Sequence, residues 1–177
     1  MSISEELEDV LAIEGHDLDA AANKLLGLAA RVASAEDAAR FASVVSHVVG
    51  EESGNWALAR SLIVALQDKY TGSVGVQGNL AVACYMTGDW MNALVAEARS
   101  NAAAKESATA VSIWVRLSTA YALQRKGSWD DAFRLYDPTL DLAREVATPS
   151  RHDSSIATLA NNIASDLLDL KIGRAHV

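Results

Sequence analysis

The sequence predicts an all-α chain built as a right-handed α-solenoid of antiparallel helix hairpins, and three observations predict it. A corner of glycine, a polar residue, tryptophan and then alanine recurs as "GNWALARSLIVAL" from Gly54, "GDWMNALVAEA" from Gly88 and "GSWDDAFRLY" from Gly127, with a fainter copy, "GHDLDAAANKLL", from Gly15. The four glycines are 39, 34 and 39 residues apart, a period typical of helical hairpin arrays. Half of the 177 residues are hydrophobic, with much alanine, only 6% aromatics and two prolines, which favours helices that approach closely.

The elements follow in order. Acids in "SEELED" at 4–9 suit the first turn of an opening helix, where the helix dipole favours them. A turn at Gly15 leads to a second helix in which Ala20 fills the alanine column. "SAED" from Ser34 is a capping box that starts the next hairpin. There "FASVVSHV" places Phe41, Val44, Val45 and Val48 on one face. The glycines of "TGSVGVQG" at 71–78 form a flexible lead-in, after which "NLAVACYM" puts Leu80, Ala81 and Cys84 on a stripe. "WVRLSTAY" places Trp114, Leu117, Ser118 and Tyr121 the same way.

At each corner glycine closes the first helix in the left-handed conformation, and Asn55, Asp89 or Ser128 caps the second. The alanines Ala59, Ala93 and Ala132 then let the paired helices meet. Two extra residues between Val48 and Gly54, and between Tyr121 and Gly127, lengthen those turns. Pro138 is expected to break the last second helix after Asp137, and "ATPSRHDSS" at 147–155 is a loop by composition. "TLANNIASDLLDLK" then opens a fifth unit.

A net charge of −8 argues against a nucleic-acid binder, which carries a basic stripe, and against an anionic membrane surface. A lone cysteine, Cys84, excludes an internal disulfide framework and is expected in the core. No stretch approaches the roughly 20 apolar residues of a membrane span, and the expected location is cytoplasmic. Residues 1–171 form one expected domain of about four hairpins and a half. The last six, "IGRAHV" at 172–177, match the translation of a common sequencing adapter, so the expected natural chain continues beyond Lys171. Without Arg174 the charge becomes 14 − 23 = −9.

The hairpin pattern resembles the tetratricopeptide repeat, whose first helix carries a large residue, leucine, a small residue and tyrosine, and whose corner carries glycine, an aromatic and alanine. The copies from Trp114 to Leu140 and from Val76 to Ala98 match best, and the resemblance covers nearly all of 1–171. It implies a non-catalytic docking module that holds a peptide or helix of another protein on an inner wall of first helices. The groove residues it implies are Asn79, Val82, Tyr85 and Met86 in one unit and Val115, Arg116, Thr119 and Leu123 in the next, with Asn161, Asn162 and Ser165 in the partial unit. Asn79, Arg116 and Asn162 share one column, a row of donors for a peptide backbone or carboxylate. A familiar variety clamps C-terminal carboxylates, but Ala42, Ser46 and Ser112 stand where that clamp needs lysine or asparagine.

Other chemistry is sparse. His16, His47 and His152 have no second ligand at metal-binding spacing, "RHD" at 151–153 falls in the expected loop, and "TGSVGVQG" lacks the lysine of a phosphate loop. No catalytic residue, cofactor, metal or small-molecule substrate is expected. Two alternatives stand beside the docking module. One is the regulatory region of a larger enzyme or signalling protein. The other is a helical repeat that reads single-stranded RNA, which the acidic balance opposes.

Overall fold

The computed structural model describes residues 2–13 and 17–146, and over these the chain is all-α, with no strand. The helices are α1 (Ile3–Ala12), α2 (Leu18–Ala29), α3 (Ala35–Val44) running into a π-helix (Val45–Glu52), α4 (Trp56–Gln67), α5 (Val74–Met86), α6 (Trp90–Ala104), a short 3-10 turn (Lys105–Ser107), α7 (Ala108–Arg125) and α8 (Trp129–Val146). Two compact units divide the chain, 1–115 and 116–177. The half unit expected after residue 155, with Asn161, Asn162 and Ser165, lies outside the described residues, as does the 147–155 loop.

Local chemistry sets each helix start. Ser2 and Glu5 form the reciprocal capping box of α1, the Ser2 hydroxyl accepting from the Glu5 amide while the Glu5 carboxylate accepts from the Ser2 amide. At Ser34, where the box was expected, only half of it forms. The hydroxyl accepts from the Asp37 amide at 3.0 Å and donates to the Asp37 carboxylate at 2.8 Å, because aspartate is one methylene too short to turn back to the cap amide. Asp17, Asn55, Ser73 and Asp89 cap α2, α4, α5 and α6 through their side chains.

Three of the four expected glycine corners form as the sequence suggests, and Gly15 lies outside the described residues. Gly54, Gly88 and Gly127 all have φ between 70° and 78°, where a Cβ would crowd the backbone. After Gly88 the Asp89 amide donates to the Cys84 carbonyl at 2.9 Å, and after Gly127 the Ser128 amide donates to the Leu123 carbonyl at 2.9 Å. Each is a 6→1 closure of the Schellman kind. The tryptophans Trp56, Trp90 and Trp129 begin the second helices, and Ala59, Ala93 and Ala132 are fully buried.

These closures fix a register that corrects several expectations. Leu123 stands where Cys84 does, so α7 repeats α5 with a constant offset of 39 and nothing is inserted before Gly127. Ser118, not Arg116, is therefore the counterpart of Asn79. The buried residues of α7 are Ser112, Ile113, Val115, Leu117, Thr119, Ala120 and Leu123, while Trp114 and Tyr121, expected in the core stripe, are 41% and 45% exposed. Before Gly54 the Asn55 amide reaches back six residues to the Val49 carbonyl at 2.9 Å, and the π-helix absorbs one extra residue instead of a longer turn absorbing two. In the first hairpin the Asp17 cap places Ala21 in the alanine column, and Ala20 is exposed.

The "TGSVGVQG" glycines are a further correction. Ser73 caps α5, so Gly75 and Gly78 lie inside the helix. A Cβ on Gly75 would come within 2.8 Å of the Ala39 side chain, and one on Gly78 within 2.9 Å of the Trp114 ring. Close packing, not mobility, is what these positions require. Pro138 likewise does not break α8, which runs through it to Val146. The proline is exposed, and the carbonyl it leaves without an amide belongs to Arg134, itself an exposed residue.

Within the first unit, α1 packs on α2 and α3, α3 packs on α5, α2 packs on α4, and α4 and α6 pack on α5. The core is Leu7 and Val10 from α1, Leu25 and Leu28 from α2, Phe41 from α3, Ile63 from α4 and almost the whole of α5. Each such side chain contributes about 1.5–3 kcal/mol of burial. Ion pairs lace neighbouring elements at the surface: Lys24 with Asp9 at 3.2 Å, Arg31 with Glu6 at 2.8 Å, Arg40 with Glu8, and Arg60 with Asp89. Exposed pairs of this kind add little each.

Candidate interaction surface

The groove expected on α5 is closed. Every residue from Val76 to Met86 is buried, so Asn79, Val82, Tyr85 and Met86 are not open to a partner. The cause is legible in the chain, because no charged residue lies between Lys69 and Asp89, and a helix apolar on all sides is covered on all sides. Asn79 spends its amide inside its own helix, donating to the Gly75 carbonyl at 2.9 Å. On α7, Val115, Thr119 and Leu123 are also buried. Arg116 is only partly exposed and already has an interaction partner. In the register set by the corners Asn79 and Arg116 occupy different columns, so the expected row of donors loses its basis.

In place of a groove, α5 takes part in a buried polar network that sequence reasoning missed. The Tyr85 hydroxyl donates to one oxygen of Glu97 at 2.7 Å, and the Ser112 hydroxyl donates to the other at 3.0 Å. Asn101 then donates to the Ser112 oxygen at 2.6 Å. Glu97 is 2% exposed, and the four residues tie α5, α6 and the start of α7 together within the first unit. The Trp90 ring meets Tyr85 edge-on, with centroids 5.1 Å apart. The spacing signal for Glu97 was present, since Ala93, Ala96, Glu97 and Ser100 continue the buried face of α6, but an acid at a core position is unexpected until its hydroxyl partners are seen.

Large side chains are exposed elsewhere. Trp114 covers Gly78 with one edge and is itself 41% exposed. In the second unit Tyr121 is half exposed, and the Arg125 guanidinium lies 6.0 Å from its ring centroid. Tyr136 donates to the Gln124 side chain at 2.8 Å behind them. On α6, Met91, Leu94 and Val95 are 74%, 50% and 47% exposed.

Among the described residues the remaining titratable groups are engaged locally. Burial pushes the Cys84 thiol up, against the nearby Arg60 cation, so it is held as an inert thiol. His47 lies between Glu51, at 3.1 Å, and Glu52, at 3.7 Å, on the π-helix. The hydrogen bond from Arg31 holds the Glu6 carboxyl below its ordinary range, and bonds from the Asn92 side chain and amide do the same for Asp89. Among the described residues no group of three His, Cys, Asp or Glu side chains is placed to hold a metal ion, and no helix is long and apolar enough to cross a membrane. No family model, curated protein or solved structure matches the chain.

Proposed function

We propose that the chain is a non-catalytic protein-interaction module of the tetratricopeptide type, with its hairpins arranged as a right-handed α-solenoid, and that it holds a peptide or helix of a partner protein. What supports the arrangement is that, within the first unit, first helices pack on first helices and second on second, α1 on α3, α3 on α5 and α2 on α4. The observation that carries the binding role is Tyr121 with Arg125 over its ring, an exposed aromatic and cation on a first helix that buries Leu117, Ala120 and Leu123. Aromatic and arginine side chains dominate binding energy at protein interfaces. The surface that the glycine-corner register leaves open thus replaces the Asn79 and Arg116 row.

A displayed library of random peptides selected on the immobilised protein tests this reading. Selected peptides, titrated against the wild type, are expected to lose at least about tenfold in affinity with Tyr121→Ala, the range of an interface hot spot. Failure to select any peptide, or selected peptides indifferent to Tyr121 and Trp114, rules the reading out. Tight RNA binding that falls steeply with salt would favour the RNA-reading alternative instead.

A further inference from the structure

On α6 the exposed side chains are not scattered. Met91, Leu94, Val95, Ala98 and Ala102 stand three or four residues from one another along one helix face, with Leu94 and Val95 side by side, and all five are exposed. Along the whole of α6 the acid is turned inward, Glu97 being buried in its hydroxyl network, and Arg99 is the exposed charge. In a chain with 23 acids and a net charge of −8, this face carries no exposed acid. It is an apolar stripe with bulky residues at its N-terminal half and alanines at its C-terminal half.

That polarity of size is self-complementary. Turn a second copy antiparallel about an axis beside the midpoint of Ala96 and Glu97, and Met91 lies over Ala102 of the other copy. Val95 then lies over Ala98, and Leu94 meets the aliphatic stem of Arg99. Every bulky side chain faces a small or flexible one, twice over, as an isologous two-fold contact requires. A stripe without acids is also where two strongly acidic copies approach with least repulsion.

We propose that α6 is a self-association surface, and that the chain pairs through antiparallel α6 helices in the register Met91–Ala102, Val95–Ala98. A contact of one helix per copy is smaller than the roughly 1,200 Å² of stable interfaces, so the pair forms weakly and reversibly.

Sedimentation of the full chain across micromolar to millimolar concentration tests the proposal. The weight-average mass is expected to rise with concentration from 18.8 kDa toward twice that value. Val95→Glu and Ala98→Lys, both at exposed positions, are each expected to stay at the monomer mass with unchanged helical circular dichroism. Mixed in equal amounts, those two variants are expected to associate again, because the register sets Glu at 95 against Lys at 98. A wild type that stays monomeric throughout overturns the proposal, as does a dimer that either substitution leaves intact. A mixture that fails to recover overturns the register.

Discussion

Removing one hydroxyl from the buried network measures how firmly the first unit is tied. Tyr85→Phe leaves the ring, its edge contact with Trp90 and its volume, and deletes only the donor 2.7 Å from the Glu97 carboxylate. Hydrogen bonds to charged groups contribute about 1.5–3 kcal/mol, and the loss here is borne by a carboxylate only 2% exposed. The expected destabilisation is therefore in that range, which for a chain of this length is a fall in Tm of about 3–12 °C. Urea unfolding followed by tryptophan fluorescence and by circular dichroism gives the value. Ser112→Ala removes the second hydroxyl, 3.0 Å from the other oxygen, and the double variant should depart from additivity by at least about 0.5 kcal/mol because both act on one carboxylate. A loss below about 0.5 kcal/mol for Tyr85→Phe, or strict additivity, would show that Glu97 is held by other groups and refute the reasoning.

Three further outcomes follow from the geometry. Gly50→Ala should destabilise by about 1–3 kcal/mol in the same urea assay, because its Cβ would sit 2.5 Å from the buried Trp56 ring, so that ring or the backbone must shift. Gly88→Ala should cost about 1–2 kcal/mol for a different reason, the φ of 78°, since a Cβ there meets nothing within 4 Å; a loss well above about 2 kcal/mol would contradict that origin. Stability should fall with acid. The folded-state pKa values of Glu6 and Asp89 lie below their ordinary ones, so their contribution is full above the unfolded values and is lost as pH drops from about 4 through the folded values. Glu6→Gln and Asp89→Asn, the latter keeping a good helix cap, should each flatten the acid limb of a Tm-against-pH curve, and an unchanged slope would count against the assignment.

What the sequence revealed and what it concealed divide along physical lines. Corners were legible because a left-handed φ admits glycine almost alone, so Gly54, Gly88 and Gly127 mark themselves, and the buried alanines sit at a fixed distance from them. The register of α7 was not, because Trp114 and Tyr121 look like core residues by type, whereas the 6→1 bond from Ser128 to Leu123 sets the face by geometry. Gly75 and Gly78 looked like a loop because the groups they accommodate, Ala39 and Trp114, are 36 residues away in each case. The groove candidates failed for the same reason. Asn79 and Tyr85 are polar enough to suggest a surface, and only the partners Gly75 and Glu97 show that their polarity is spent inside.

The all-round burial of α5 has a consequence for how the first unit breathes. Its neighbours α3, α4 and α6 all rest on it, so it cannot lift away without undoing three contacts at once. In hydrogen–deuterium exchange the amides from Leu80 to Tyr85 should therefore be the last to trade their protons, and only as fast as the whole unit opens, whereas α1 should exchange through local fraying. Within the first unit α5 therefore works as a keystone, and unfastening it releases its three neighbours together.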